Sequence, residues 1–376
     1  MADLDDAQWV APPRLAIINP FLWEVGHVGW FMEHWCLRWR GSDRAPAPSR
    51  LAHGDRWYDS SNVPHDARWD LDLPSRAATL SYLTDVLAAT LHALARAGDS
   101  DEELYFFRLA LYHEDMHGEA FAITRQTLGH PAPAVAHLIE SVAAPAVRGS
   151  AVSPGAANIG RDIEFAGTTF EMGMADDQRG FVFDNERRRQ AIALAPFAIA
   201  SRPTTQGEFL AFVADGGYSR PELWGDEGRR WRSEHSPGHP RYWRKRGGQW
   251  EARAFDRWNA LEPDAPVALV TAHEAHAFCT WAGRRLPSEA EWECAAVAGA
   301  IAPSGVWEWT ATPFAPYAGF SAGPYRDYSQ PWFHTHRSVR GASPFTRARM
   351  QHARYRNFYM PERDDIWVGF RSCALR

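Results

Sequence analysis

The sequence predicts an α+β protein, in which a bundle of four helices precedes a loop-rich domain of short strands. Residues 1–145 repeat apolar side chains at helical spacing, between residues that cap and end helices. Residues 146–157 are small and rich in proline and glycine, which indicates a linker. In residues 158–376 the long periodicity is lost, and glycine, proline and tryptophan become frequent. We therefore predict two domains, 1–145 and 158–376, joined by this linker.

A first helix is predicted from Pro20 to Arg40. Asn19 is of a type that caps helices, and proline suits the first helical turn. His27 lies in the apolar stripe of this helix, between Gly26 and Gly29. Glycines inside a helix cost stability, so these two indicate close packing or space beside the histidine. On its own, such a histidine is more often a hydrogen-bonded core residue than a metal ligand.

Three further helices are predicted in the first domain. A polar loop, residues 41–74, is long enough to carry function, and Ser75–Gly98 follows as an Ala/Leu-rich helix. Asp101 opens the next helix, and the last helix runs from about Pro131 to Val142. Four helices with inward-facing histidines on two of them can form a bundle that binds a metal ion.

The helix that starts at Asp101 carries His113 and His117 within an apolar stretch, Leu104–Phe121. Their spacing of four residues puts both imidazoles on one face, where two neutral rings can hold one metal ion. Acidic neighbours are predicted to orient these rings: Glu114, Asp115 and Glu119. A lone pair of this kind is usually not a metal site, so a third ligand is required. The zinc-protease pattern H-E-x-x-H is formally present, but no third ligand follows at a spacing familiar from such proteases.

The second domain is predicted to combine short strands with a few helices. Strands are expected in FEMGM, from Phe170, and in AIALAPFAIA, from Ala191. One helix is predicted to start with Thr204 as its cap. Another starts near Thr271 and is broken at Pro287, where a new helix begins. We expect side-chain contacts, rather than long strand ladders, to hold so loop-dense a domain together.

Composition excludes several classes of function. The chain has 376 residues, is 45% hydrophobic and carries a net charge of −6, so no basic surface for nucleic acid is predicted. No apolar run is long enough for a membrane span, and the acidic start MADLDDAQWV does not resemble a signal peptide. The four cysteines are far apart, which indicates a reduced, cytoplasmic protein. Nothing in the sequence predicts an oligomeric state.

A series of motifs then runs through the second domain: FEMG at Phe170, DNER at Asp184, WAGRRLPSEAEWE at Trp281, VWEWT at Val306 and VGFRS at Val368. The series resembles the formylglycine-generating-enzyme type of domain, which has a C-type-lectin-like fold. The first domain resembles a DinB-like four-helix bundle. Over nearly the whole chain, the combination resembles the ergothioneine-biosynthesis sulfoxide synthases (EgtB) and their relatives.

This resemblance implies a nonheme iron oxidoreductase. In that family three histidines hold Fe(II), one on the first helix and two as an H-x-x-x-H pair, and His27, His113 and His117 match this pattern. With O2 as co-substrate, the family joins a thiol to the imidazole C2 of hercynine, which is trimethylated histidine. Three neutral histidines leave coordination positions open for O2 and for an anionic sulfur or selenium donor.

The resemblance also implies substrate contacts. In the motif PYRDYS, Tyr325 matches the family tyrosine that donates a proton or hydrogen atom, and Tyr328 matches a contact to hercynine. In YRNF, Asn357 matches another hercynine contact, and Phe358 adjoins it. Met116 stands where ergothioneine-type members often have a polar residue. Without the resemblance, these tyrosines would be interpreted as packed aromatic residues with satisfied hydroxyl groups.

The motif positions that differ from the family concern the thiol donor. Members that use γ-glutamylcysteine carry two basic residues in the polar loop, where this chain has His65 and Arg68. They also carry an Asp followed four residues later by an Arg, where this chain has Tyr359 and Arg363. A lost Arg and a lost Asp remove partners for a charged dipeptide, whereas an aromatic ring suits a sugar. These differences favour the selenoneine-synthase branch (SenA), which uses a selenosugar donor; γ-glutamylcysteine or cysteine remains the alternative.

Two other functions remain as alternatives, and a third is disfavoured. The lectin-like fold also serves binding modules without catalysis. A bundle-type zinc thiol transferase would use the same histidines without O2. Formylglycine-generating chemistry is disfavoured, because it needs a pair of cysteines near the C-terminus and Cys373 stands alone there.

Overall fold

The computed structural model describes residues 3–10, 12–133 and 160–376. Unit 1 comprises Met1–Leu128 with Arg179–Phe181, and unit 2 comprises Gly129–Gln178 with Val182–Arg376. The predicted linker and nearly all of the predicted helix Pro131–Val142 lie outside the described residues. Both therefore stay predictions, as do the predicted domain boundaries.

Unit 1 is helical. Its α-helices are α1 (Asp6–Val10), α2 (Phe21–Glu33), α3 (Gly54–Tyr58), α4 (Arg76–Leu94) and α5 (Asp101–Leu128). A π-helical turn, His34–Arg38, continues α2, and a 3-10 turn, His65–Trp69, lies in the polar loop. Every residue of α2 is buried, so α2 forms the centre of this unit. Helices α2, α4 and α5 share a core cluster of buried side chains: Met32, Tyr82, Val86 and Ala110.

The first helix is shorter than predicted: it spans Phe21–Glu33 rather than Pro20 to Arg40. The helix begins after Pro20, and Asn19 does not cap it, because its side-chain oxygen instead accepts a hydrogen bond from Arg68 at 2.7 Å.

The two glycines of this helix, Gly26 and Gly29, indicate close packing, as expected. A Cβ on Gly26 would lie 2.2 Å from the Tyr58 ring, and one on Gly29 would lie 3.2 Å from Tyr82. Only glycine at position 26 admits the chain at Tyr58 so close to α2.

Unit 2 mixes helices with short strands. The helices are α6 (Gln206–Ala214), α7 (Asp226–His235), α8 (Ala272–Trp281) and α9 (Glu289–Val297). The strands are β1 (Asp162–Phe165), β2 (Thr168–Met172), β3 (Gln190–Leu194), β4 (Phe197–Ala200), β5 (Trp243–Arg246), β6 (Gln249–Ala254), β7 (Arg257–Ala260), β8 (Arg284–Arg285), β9 (Trp307–Pro313), β10 (Arg337–Gly341), β11 (Asn357–Tyr359), β12 (Val368–Gly369) and β13 (Cys373–Ala374).

The strands form four small sheets, with orders β1-β4-β13-β8, β11-β10-β9-β12, β2-β3 and β5-β6-β7. In the second sheet β12 runs parallel to β9, and the other neighbours are antiparallel. The cap of α6 is Thr205 rather than the predicted Thr204. Thr205 has Glu208 three residues later and can form a reciprocal capping box, whereas the residue three after Thr204 is a glycine.

Buried ion pairs connect the helices and strands of unit 2, as expected for a domain with so few long strands. Arg340 pairs with Glu293, and Arg371 pairs with Glu308 through two hydrogen bonds of 2.5 and 2.8 Å. All four side chains are at most 1% exposed. Removing one partner of such a pair is strongly destabilising, because the remaining charge is left buried without a partner.

Two sequence-based expectations about composition can be compared with the described residues. None of the helices in that part of the chain is both long and apolar enough to cross a membrane. All four cysteines are free, and three of them are buried.

Candidate functional site

Three histidines of unit 1 form a group that can hold a metal ion. His27 comes from α2, and His113 and His117 come from successive turns of α5. Their ligand nitrogens all lie within 4.8 Å of one another, and no other such group of three occurs among the described residues. The Nε2 atoms of His113 and His117 are 3.2 Å apart. Two nitrogens bound about 2.1 Å from one metal ion would be roughly 3.0 to 3.4 Å apart, so this spacing suits a shared ion.

Hydrogen bonds at the opposite ring nitrogen orient two of these imidazoles. The Nδ1 of His27 donates to the backbone carbonyl of Tyr58 at 2.7 Å. The Nδ1 of His117 donates to Oε1 of Glu24 at 2.6 Å. With Nδ1 as the donor, Nε2 keeps its lone pair and is the atom that can bind a metal.

Aromatic rings hold the histidines in place. The Phe31 ring stacks on His113 with centroids 3.5 Å apart and an angle of 3° between planes. The Trp23 ring stacks on His27 at 5.0 Å and 7°. Flat contacts of this kind limit ring rotation, so the ligand nitrogens keep their positions without a metal to hold them.

The electrostatics favour neutral imidazoles. Burial, and then the neighbouring His117, lower the pKa values of His27 and His113 well below 6.5. Both rings are 3% exposed and are therefore neutral near pH 7, which is the form that binds metals. Glu24, 1% exposed, brings a carboxylate to the same group. Three imidazole nitrogens with one nearby carboxylate fit a divalent ion such as Fe(II).

The polar loop reaches this group through Arg68. Its guanidinium carbon lies 4.0 Å from the centroid of the Trp23 ring, which itself stacks on His27. His65 is on the same 3-10 turn, and its Nε2 donates to the carbonyl of Ile18 at 2.7 Å. That nitrogen is therefore engaged within the protein. Substrate contacts by both residues remain predictions.

Met116 is half-buried on α5, directly before His117. This placement leaves its predicted role beside the substrate a prediction.

Unit 2 brings the predicted substrate residues into one cluster, which we call the tyrosine cluster: Tyr325, Tyr328, Asn357, Phe358, Tyr359 and Arg363. Ring centroids of Tyr325 and Tyr328 are 6.2 Å apart, and those of Tyr328 and Phe358 are 6.0 Å apart. The amide nitrogen of Asn357 donates to the Tyr359 hydroxyl at 3.2 Å. The sequence therefore selected side chains that are neighbours in this unit, although none of the contacts shows a substrate role.

The Arg363 side chain is held by an aspartate. Its Nε and one terminal nitrogen donate to the two oxygens of Asp365 at 2.5 and 2.8 Å, and Asp365 is fully buried. The same guanidinium lies 5.9 Å from the Tyr359 ring. A bidentate partner already balances the charge of Arg363, which lowers its capacity to bind a second carboxylate.

Sequence reasoning missed the residues that orient the histidines. For His117 the acceptor is Glu24 on α2, not an acid of α5 as we expected. One signal was available, because Glu24 precedes His27 by three residues and therefore shares its helix face. The Tyr58 carbonyl and the Tyr355 hydroxyl, which lies 3.3 Å from that of Tyr328, had no such signal.

Comparisons with protein families agree with the predicted fold class. A model of the DinB superfamily matches residues 1–121. A model of the Sulfatase-modifying factor enzyme 1-like domain matches residues 151–304. The prediction of a DinB-like helical domain followed by a formylglycine-generating-enzyme type domain is thereby confirmed.

Two curated relatives align with nearly the whole chain, and a third aligns with about half of it. The hercynine oxygenase of Mycolicibacterium thermoresistibile is 30% identical over an alignment 424 positions long, gaps included, which covers 99% of this chain and 90% of the relative. The hercynine oxygenase of Mycobacterium tuberculosis is also 30% identical, with 99% and 94% covered. Ergothioneine biosynthesis protein 1 of Schizosaccharomyces pombe is 24% identical over 226 residues, with 51% and 27% covered.

Proposed function

We propose that this chain, which belongs to the EgtB-like family of hercynine oxygenases and their relatives, joins sulfur or selenium to the imidazole C2 of hercynine. The reaction would use O2 and a nonheme Fe(II) ion. The observation that carries the proposal is the group of His27, His113 and His117, whose nitrogens converge within 4.8 Å. Its support is the alignment of almost the full chain with relatives named for hercynine.

In this proposal the three histidines hold Fe(II), and the Tyr58 carbonyl and Glu24 have already oriented two of them, His27 and His117. When bound, Fe(II) supplies the electron transfer that activates O2 toward the donor. Because Trp23 and Phe31 cover two of the rings, the ligands need little reorganisation when the ion binds.

The tyrosine cluster would supply the organic contacts. We assign Tyr325 the role of donating a proton or hydrogen atom through its phenol. Tyr328 and Asn357 present a hydroxyl and an amide, which can donate hydrogen bonds to the carboxylate end of hercynine. The ring of Phe358 packs beside Tyr328 and offers an apolar surface to the imidazole.

For the donor we propose a selenosugar. Tyr359 offers an aromatic face, and no carboxylate, at the position where γ-glutamylcysteine users have an Asp. Arg363 is neutralised by Asp365 through two hydrogen bonds. One ring nitrogen of His65 already donates a hydrogen bond to the Ile18 carbonyl. A site with fewer free charges favours a hydroxyl-rich donor over a charged dipeptide.

An ergothioneine-type reaction with γ-glutamylcysteine or cysteine is the second candidate. The retained Arg68 favours it, because its guanidinium lies over Trp23 beside His27 and could meet a carboxylate. A binding module without catalysis, or a zinc thiol transferase, would require the histidines to bind no iron or to act without O2.

A donor panel tests the proposal. The protein is reconstituted anaerobically with Fe(II), supplied with hercynine and O2, and offered γ-glutamylcysteine, cysteine, a 1-thio-sugar or a 1-seleno-sugar. Mass spectrometry identifies the products. Turnover with the sugar donors alone is the expected result. Turnover with γ-glutamylcysteine or cysteine would instead assign the ergothioneine-type reaction.

Iron content distinguishes failure of the donor assignment from failure of the metal assignment. His113→Ala should lose iron and turnover together, whereas His92→Ala, at an exposed position of α4, should keep both. Iron bound without turnover on any donor would contradict the proposed reaction. No iron bound, or turnover without O2, would contradict the metal assignment.

A further inference from the structure

Two tyrosines of unit 2 face each other through their hydroxyl groups. The oxygens of Tyr328 and Tyr355 are 3.3 Å apart, so one hydroxyl donates to the other. Tyr355 is only 2% exposed, whereas Tyr328 is half-buried. The Phe183 ring stacks on Tyr328 with centroids 4.1 Å apart and 19° between planes, and meets Tyr355 edge-on at 5.9 Å. These contacts hold the Tyr328 ring against Phe183 and its hydroxyl against that of Tyr355.

The surroundings determine which hydroxyl donates. If Tyr328 donated to Tyr355, the proton of Tyr355 would need a second acceptor. Within the part of the chain that the structure describes, Tyr328 is the only hydrogen-bond partner of the Tyr355 hydroxyl. A buried donor without an acceptor is strongly disfavoured. Tyr355 therefore donates to Tyr328, and the proton of Tyr328 remains available to another acceptor.

We propose that Tyr355 is a positioning residue that directs the hydroxyl of Tyr328 toward hercynine. By donating to Tyr328, the buried Tyr355 hydroxyl leaves Tyr328 to donate its own proton to a carboxylate oxygen of the substrate. The inference rests on the proposed function, in which Tyr328 contacts hercynine. A hydroxyl that also accepts a hydrogen bond is a stronger donor, which adds to this effect.

The frame behind the pair supports a fixed geometry. The Tyr355 carbonyl accepts a hydrogen bond from the buried Arg340 at 2.8 Å, and its ring lies 5.7 Å from that of Trp307. The backbone nitrogen of Phe183 donates to Oε1 of Glu186 at 3.1 Å. Burial raises the pKa values of both tyrosines well above 10, so each phenol keeps its proton near pH 7.

A double-mutant cycle tests the inference. Hercynine is titrated into the anaerobic, Fe(II)-loaded protein, and its dissociation constant is measured by calorimetry for Tyr355→Phe, Tyr328→Phe and the double variant. We expect Tyr355→Phe to raise the constant about three- to tenfold, and Tyr328→Phe to raise it at least as much. Because Tyr355 acts through Tyr328, the double variant should match Tyr328→Phe alone. A merely structural role for Tyr355 would make the two effects additive.

Tyr242→Phe is the matched control, since it removes a buried tyrosine hydroxyl of the same unit that has no hydrogen-bond partner among the described residues. It should leave the dissociation constant unchanged, and all variants should keep their iron and their thermal midpoint. Weaker binding in Tyr328→Phe with normal binding in Tyr355→Phe would overturn only the positioning role of Tyr355. The proposed contact of Tyr328 with hercynine would stand. Normal binding in Tyr328→Phe would overturn the proposed hercynine contact, and the positioning role with it.

Discussion

The Nδ1 of His117 donates to Oε1 of Glu24 at 2.6 Å, across 93 residues of sequence. The bond joins α5 to α2, the two helices that carry the candidate ligands. Glu24 is 1% exposed, so its carboxylate is set in the interior beside the three histidines. It both orients the imidazole of His117 and places negative charge where a cation would bind.

We therefore expect Glu24→Gln to weaken iron binding about 10- to 100-fold, because the amide lacks the charge and cannot accept as strongly from His117. Competition with a calibrated Fe(II) chelator under anaerobic conditions measures the change. Glu33→Gln is the matched control. Glu33 is also buried on α2, but accepts from Ser49 and Tyr82 at 2.7 and 2.8 Å. It should lower stability and leave iron affinity unchanged. Equal iron affinity in both variants would contradict the role of Glu24.

Removing any one ligand should be decisive for the metal assignment. We expect His27→Ala, His113→Ala and His117→Ala each to abolish stoichiometric iron binding and turnover, because two imidazoles alone bind Fe(II) weakly. Metal analysis after reconstitution and desalting measures the bound iron. A variant that retained full iron and activity would remove its histidine from the ligand set.

Tyr325→Phe separates catalysis from binding. The variant keeps the ring, whose centroid lies 6.2 Å from that of Tyr328, and loses only the hydroxyl. We expect normal iron content, with product formation slowed at least about tenfold or redirected to oxidation of the donor alone. Mass spectrometry of both substrates after single turnover distinguishes these results. Unchanged rate and products would rule out the catalytic role.

The raised pKa of the buried Glu186 should make the free energy of unfolding depend on pH. The side chain is 1% exposed, and burial raises its pKa from 4.5 to about 8. Between these values the folded protein holds a proton that the unfolded chain has lost. The stabilisation by this group is complete below about pH 4.5 and is lost as pH rises through about 8, at no more than about 1.4 kcal/mol per pH unit.

Glu186→Gln should remove this contribution. We expect the free energy of unfolding of the original protein, minus that of the variant, to fall steadily as pH rises from about 5 to 8. Urea unfolding at several pH values measures it. Glu171→Gln, at an exposed position, should run parallel to the original protein. Parallel curves for Glu186→Gln as well would show that this carboxyl titrates normally in the folded state.

Local patterns explain how far the sequence could predict the fold. The spacing of apolar residues located α4 and α5, and the capping boxes of Thr271 and Ser288 mark the starts of α8 and α9. The end of α2 was missed, because the π-helical turn His34–Arg38 continues the same apolar periodicity. The predicted cap at Asn19 was wrong, because Arg68, 49 residues away, binds the Asn19 side chain.

By itself, the sequence determined which histidines share a helix face and which motifs place the chain beside known relatives, because helical periodicity and motif spacing are local properties. Only the tertiary structure decided that Glu24 meets His117, that Asp365 holds Arg363, and that Tyr355 faces Tyr328. Hydrogen bonds act over about 3 Å, so their partners depend on how distant or adjoining segments pack. That packing results from burial of the whole chain, and no local spacing encodes it.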